Sequence, residues 1–200
     1  RNLTVLTADR TRDRKGQWFD RAHVQGLCEI HEWCHPITEK LREGLTHSEF
    51  IKELHLHPFI TCVHGGGVDP SPKAFEAIHE GTIPILKKTL VYDAYKNLPV
   101  AWVDSWDDLF TVDNIGINSN HDLLNKWRRE LAPYYEEGSH LREQTLNRLK
   151  LPYWRGLIQK AYENGIEKEK KEKSKRRQRK RKLMASTSTS YDNIAQSKVK

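Results

Sequence analysis

The sequence predicts an α/β domain, a parallel sheet with flanking helices, and three observations carry that prediction. Residues 58–63, PFITCV, are an apolar, β-branched run without alternation, the pattern of a strand buried on both faces. The run ends in a glycine loop, Gly65, Gly66 and Gly67, and a helix start follows: Ser71 suits the N-cap, Pro72 the first helical position, and Gly81 the residue just past the end. After Gly81 the order returns, with a strand over 82–86, a helix over 90–96 and a strand over 100–103. Strand, loop, helix, strand, repeated, is a Rossmann-like pattern.

From the start of the chain, residues 3–7 read as the first strand and 8–16 as its loop, dense in Arg10, Arg12, Arg14 and Lys15. Loops after strand C-termini are where open α/β sheets bind ligands. Arg10 and Arg14 are therefore candidate phosphate contacts, although a solvated charged turn has the same composition. Residues 18–26 read as a helix. Cys28, His31, Cys34 and His35 then follow in an order that lacks the paired spacing of a structural zinc site. A short strand with partly buried cysteines is expected there, with zinc as the minor alternative. Three cysteines make no disulfide framework and leave the redox compartment open. Residues 48–56 should be a helix with Phe50, Ile51 and Leu54 inward; His55 and His57 are expected to be packing residues.

The helix over 72–80 has two faces, and their spacing suggests a use. Phe75 and Ile78 are expected on the sheet, with Lys73, Glu76, Ala77 and Glu80 on the other side. Lys73 lies in the first turn, beside N–H groups that have no partner within the helix and favour an anion. With the glycine loop it makes a candidate diphosphate cradle. Glu76, one turn further in, has acceptor oxygens for both hydroxyls of a ribose. The alternative is a tight connection, a solvated Lys73 and an i,i+3 pair between Lys73 and Glu76. The spacing is neither GxGxxG nor a Walker A loop.

Further on, Pro84 is expected to end its strand early, and the carboxylates of residues 104–108 to cap a helix. Residues 120–137 form the clearest amphipathic helix, with Leu123, Leu124, Trp127, Leu131 and Tyr135 at helical spacing, read as core. A helix over 141–149 follows, and Pro152 should separate it from another over 154–162.

Charge divides the chain. Residues 166–200 hold thirteen Lys and Arg against four Asp and Glu, a net +9, which leaves −2 on residues 1–165 of the chain's +7. A nucleic-acid surface on the folded body is disfavoured, whereas the tail suits phosphate-rich partners. The tail, basic and then Ser/Thr-rich, cannot bury enough surface to form a globule and is expected to be disordered beyond its first turns. Its Lys175 to Lys182 cluster fits a nuclear-localisation or nucleic-acid patch, an anionic membrane surface or a solubilising segment. No apolar run reaches the roughly eighteen residues of a membrane span, and a chain beginning at Arg1 is expected to be a fragment.

The run Phe59, Gly65, Gly67, Asp69, Lys73, Phe75-Glu76-Ala77, Gly81 and Ile83-Pro84-Ile85, continued by Tyr95, Leu98-Pro99-Val100 and Trp106, resembles the C-terminal nucleotide-sugar domain of exostosin-like glycosyltransferases, nearest the ribitol xylosyltransferase-like branch. The resemblance covers about fifty residues and implies the C-terminal half of a GT-B fold, over residues 1–165. It further implies an inverting, metal-independent hexosyl- or pentosyltransferase with a nucleoside diphosphate sugar as donor, a glycan or polyol as acceptor, and no cofactor. By motif position Lys73 is expected at the diphosphate and Glu76 at the ribose, with Gly65, Gly66, Gly67 and Asp69 forming the loop and Arg10 and Arg14 nearby. The general base is expected on a preceding GT-B domain. An N-terminal anchor would place the enzyme in the Golgi or endoplasmic reticulum lumen, and its absence would make it cytoplasmic. Two departures stand out: the family usually has arginine where this chain has Lys73, which loses a bidentate fork, and one extra residue separates Asp69 from Lys73. A non-enzymatic Rossmann-like protein working through its basic tail is the alternative.

Overall fold

A computed structural model describes residues 2–9, 19–37, 40, 43–65, 72–90, 92–111 and 119–197, with the backbone alone for 119–121, 177 and 179–197. The chain divides into two compact units, Arg1–Leu149 and Lys150–Lys200. The boundary thus falls ahead of the 165/166 division expected from composition. Side-chain anchoring explains it: Arg148 still donates to the Asn97 carbonyl at 2.6 Å, whereas over residues 151–176 the side chains are mostly exposed.

The first unit is the predicted parallel sheet. Its strands are β1 (Val5–Thr7), β2 (Cys34–Pro36), β3 (Phe59–Thr61), β4 (Ile83–Lys87) and β5 (Ala101–Val103), ordered β2-β1-β3-β4-β5 and all parallel. The first strand leads outward to β2 and the third leads the other way to β4, so the order reverses between β1 and β3. In open α/β sheets such a reversal leaves a crevice at the strands' C-terminal ends. The middle strands are buried throughout, as their unalternating sequences required.

Most helices follow their signals, with two corrections: Pro72 takes the N-cap position instead of the first helical one, Ser71 lying outside the described residues, and the helix expected over 120–137 ends at Leu131. Helix α1 (Phe19–Glu29) buries Val24 and Cys28. Helix α2 (His47–Leu56) opens with a capping box in which Thr46 and Glu49 satisfy each other's backbone N–H groups, and it buries Phe50 and Leu54. Ile51, expected inward, is only half-buried. Helix α3 (Lys73–Glu80) ends at Gly81, whose φ of 81° is the left-handed geometry a C-terminal glycine supplies. Its buried stripe is Ala74, Ala77 and Ile78. This corrects the expected faces, since Ala77 turns inward while Phe75 stays partly exposed against Tyr95, ring centroids 5.4 Å apart. Two small alanines let the helix sit close to the sheet.

Pro84 does not end its strand, which continues to Lys87. Ile83 donates to the Pro58 carbonyl and Ile85 accepts from Cys62, so both face β3. The missing N–H of Pro84 therefore faces the other side, where pairing with β5 begins only at Ile85. At Pro84 the strand is locally an edge.

Helix α4 (Tyr92–Tyr95) connects β4 to β5, and α5 (Trp106–Phe110) follows β5, the last strand of the sheet. Ser105 caps α5 with Asp108 in a second capping box, the role expected of that acidic turn. Helix α6 (Ser119–Leu131) places Leu124 and Trp127 in the core, and Tyr135 donates to the Pro99 carbonyl at 2.5 Å. Helix α7 (His140–Leu149) turns Arg142 back onto the end of α3, donating to the carbonyls of Ile78 at 2.6 Å and His79 at 2.7 Å. A guanidinium thus supplies donors to the last carbonyls of a helix, sharing that of Ile78 with the Gly81 N–H.

The cysteine-histidine segment is corrected more sharply. Cys28 and Cys34 form a disulfide, with Cα atoms 5.1 Å apart, which ties the last turn of α1 to β2. Both sulfurs are committed to each other, which removes the zinc alternative. Cys62 is free and buried.

The second unit is helix α8 (Leu151–Ser197). Pro152 lies in its first turn, where a proline costs no hydrogen bond. The segment predicted to be disordered is helical here: Glu, Lys, Arg and Gln are good helix formers, and Glu167–Lys171 and Glu169–Lys173 pair at i,i+4. A helix with so many exposed side chains gains nothing from a core, so the expectation that this stretch forms no globule is met by helical backbone.

Candidate functional site

Because β1 and β3 are parallel neighbours at the point where the strand order reverses, the residues that follow them emerge side by side at the C-terminal end of the sheet. Thr7 and Thr61 end the two strands side by side, and the Thr61 hydroxyl donates to that of Thr7 at 3.0 Å. The Thr7 hydroxyl in turn lies 3.5 Å from Cys34 Sγ and is the donor there, since a disulfide sulfur carries no proton. Immediately beyond, Ala8 and Asp9 are buried, at 5% and 1% exposed. Lys73, brought by the first turn of α3, donates from Nζ to the Ala8 carbonyl at 2.9 Å and to Asp9 Oδ1. Arg21, brought by α1, places Nε 3.4 Å from the same Asp9 oxygen and donates to the Val63 carbonyl through Nε and Nη2. The carboxylate is enclosed, and the Lys73 and Arg21 side chains are 15% and 12% exposed.

Two cations on one buried carboxylate leave a net positive charge at the reversal point. The arrangement is ordered by charge: desolvating a carboxylate is costly unless cations and hydrogen bonds compensate it. A second group stands alongside. Asp20 Oδ2 accepts from Lys87 Nζ at 3.1 Å and lies 4.0 Å from His64 Nε2. Lys87 closes β4 and His64 precedes Gly65, so this group too lies at the C-terminal ends of the strands.

Glu76 lines a groove of about 410 Å³ formed with His47, Ile51, Phe75, His79, Glu80 and Leu149. Its side chain is 35% exposed, and Oε1 is 3.9 Å from His47 Nδ1. Lys73 is not among the groove's lining residues; its ammonium turns to Asp9 instead. The two nevertheless share a neighbourhood, because both act on the buried Cys62 thiol. Burial pushes that thiol up to about 12, Lys73 opposes the rise, and Asp9 and Glu76 add to it.

Of the residues singled out from the sequence, Lys73, Glu76 and Gly65 are described; Gly66, Gly67, Asp69, Arg10 and Arg14 lie outside the described residues. Lys73 meets the loop after the first strand at Ala8 and Asp9, directly before Arg10. Sequence reasoning missed Asp9, Arg21, Asp20, His64 and Lys87. Asp9 had a signal, an acid placed against the end of a buried strand. Arg21 had none, since its carboxylate lies twelve residues away in sequence. Of the two histidines expected to pack, His57 does so, buried against Thr4 with Nδ1 2.9 Å from Oγ1, whereas His55 is exposed and pairs with Glu80 at 2.9 Å. Among the described residues no group of three or more His, Cys, Asp or Glu side chains is placed to hold a metal ion.

In chemical terms, the described residues offer a buried carboxylate held by two cations at the C-terminal ends of the strands and, on α3, a groove with a carboxylate in its lining. No protein-family model matches this chain, and no curated protein matches it either.

Proposed function

We propose that the sheet domain is the donor-binding half of an exostosin-like glycosyltransferase, transferring a sugar from a nucleoside diphosphate sugar to a glycan or polyol acceptor with inversion and without a metal. The observation that carries the reading is the delivery of Lys73, from the first turn of α3, onto the loop after β1 at the reversal point, with Glu76 one turn behind it. An incoming diphosphate competes with Asp9 for the Lys73 ammonium. Arg21 stays on Asp9, so the carboxylate keeps a cation while the lysine turns outward. As the sugar–phosphate bond breaks, charge gathers on the leaving diphosphate, and the net positive triad and the N–H groups at the start of α3 offset it. Glu76 accepts from the ribose hydroxyls. The general base belongs to a preceding domain and is not assigned. The Cys28–Cys34 disulfide accords with an oxidising compartment such as the lumen in which anchored transferases work.

One observation favours a second reading. Lys73 already has two acceptors and little exposure, which is what a scaffold with a purely structural lysine would show. Calorimetry with UDP, GDP and uridine separates the two. Glu76→Gln loses a charge-assisted hydrogen bond, so nucleoside and diphosphate should both weaken, by about ten- to a hundredfold. Lys73→Met should weaken only the diphosphate, and added salt should weaken the diphosphate more in the parent than in this variant. Equal losses for nucleoside and diphosphate in Lys73→Met would remove the lysine from the phosphates, and absence of binding by the parent would establish the scaffold.

A further inference from the structure

The second unit carries two surface features that the transferase reading does not use, and they are joined on one helix. Leu151, Ile158 and Tyr162 are 73%, 69% and 69% exposed. At i, i+7 and i+11 they fall within about 40° of one another around the helix axis, one narrow apolar ridge. Directly beyond it, residues 168–182 hold eleven Lys and Arg against Glu169 and Glu172. Lys168, Lys170, Lys171, Lys173, Lys175 and Arg176 are all exposed. No described helix is long and apolar enough to cross a membrane.

We infer that helix α8 is a docking element for an anionic lipid surface, lying along the bilayer rather than through it. The charge run alone would suit any polyanion, nucleic acid included. The ridge decides between them, because Leu151 and Ile158 offer a phosphate backbone nothing, whereas a bilayer takes both features. Aliphatic side chains enter the boundary between headgroups and acyl chains, a tyrosine sits at headgroup level, and lysine stems reach along the apolar surface to place their ammonium groups on lipid phosphates and carboxylates. A ridge of three side chains is a weak anchor by itself, as a single acyl chain is, and stable attachment takes a second signal such as a polybasic patch. Both signals are present and adjacent. The inference is independent of the transferase reading.

Co-sedimentation of the full chain with phosphatidylcholine vesicles, with and without phosphatidylserine, tests it. The parent should bind the phosphatidylserine vesicles and leave the neutral ones. The triple variant Leu151→Ser, Ile158→Ser, Tyr162→Ser should bind at least about tenfold more weakly, because the apolar area it loses is what enters the bilayer. The double variant Lys175→Glu, Arg176→Glu should weaken by a similar factor, and salt should weaken the parent. All five side chains are exposed, and circular dichroism with thermal unfolding checks that the variants fold. Three results would overturn the inference: no vesicle binding by the parent, vesicle binding untouched by the triple variant, or equal binding to neutral and anionic vesicles. Parent that ignores vesicles but retains polyuridylate would assign the helix to nucleic acid, and a self-association lost in the triple variant would assign the ridge to a second copy of this chain.

Discussion

Asp9 and Glu80 are each held between two basic side chains, and they behave differently. Asp9 lies between Lys73 and Arg21 with its side chain fully enclosed. Glu80 lies between His79 at 2.8 Å and His55 at 2.9 Å with a quarter of its side chain exposed, 24%. Water separates the two cases. Around Glu80 solvent screens the charges, and the hydrogen bond from His79, then that from His55, draws its carboxyl below the ordinary value against the desolvation that raises it. Around Asp9 no solvent stands in for a missing partner, so the cations are obligatory. The same motif is a fixture when buried and an adjustable clasp between α2 and α3 when exposed.

The largest effect should come from breaking the buried case. Asp9→Ala leaves Lys73 and Arg21 without their shared counter-charge in a site where neither side chain is more than 15% exposed, and denaturant unfolding should show a loss of about 3–5 kcal/mol. A loss below about 1 kcal/mol would mean the triad behaves like a surface pair.

Next in size is the covalent support behind Arg21. The disulfide joins the helix that carries it to β2 across six residues, a short loop, so Cys28→Ala with Cys34→Ala should cost roughly 2 kcal/mol. The parent treated with reductant should unfold like the double variant; a parent indifferent to reductant would show that the bond adds no stability.

The smallest effect belongs to the clasp and is seen best in its pH dependence. A carboxyl depressed in the folded state contributes stability that is present above its unfolded value and lost as pH falls through the folded one. The stability difference between the parent and Glu80→Gln should therefore be present above pH 4.5 and fade on acidification below it. Thermal unfolding across that range measures it, and a difference that persists into strong acid would place the effect in packing rather than charge.

Much of the fold was legible because it rests on local rules. The unalternating run at 58–63 read as a strand buried on both faces and Gly81 as the residue that closes a helix, and the fold has both. Thr46 and Glu49 made a capping box, although that signal was not used in placing the helix. Helical spacing placed Lys73 and Glu76 one turn apart on α3, but it did not show that Lys73 turns to Asp9 while Glu76 lines a groove without it. Reading the faces of α3 failed at Ala77, because an alanine carries too little hydrophobic weight to declare its side.

By itself, the sequence determined the element order, the parallel class of the sheet and the division of charge between a slightly acidic body and a strongly basic tail. These depend on residues near one another or on plain counting. The tertiary structure decided everything that couples distant positions: the strand order that reverses between β1 and β3, the use of Asp9 by Lys73 and Arg21, the bond between Cys28 and Cys34, and the tolerance of Pro84. Each is a matter of which groups meet after some six to sixty residues of intervening chain have folded. Hydrophobic periodicity says that a face is buried and never names its partner, and burial sets the strength of a charge pair only once the partner is in place.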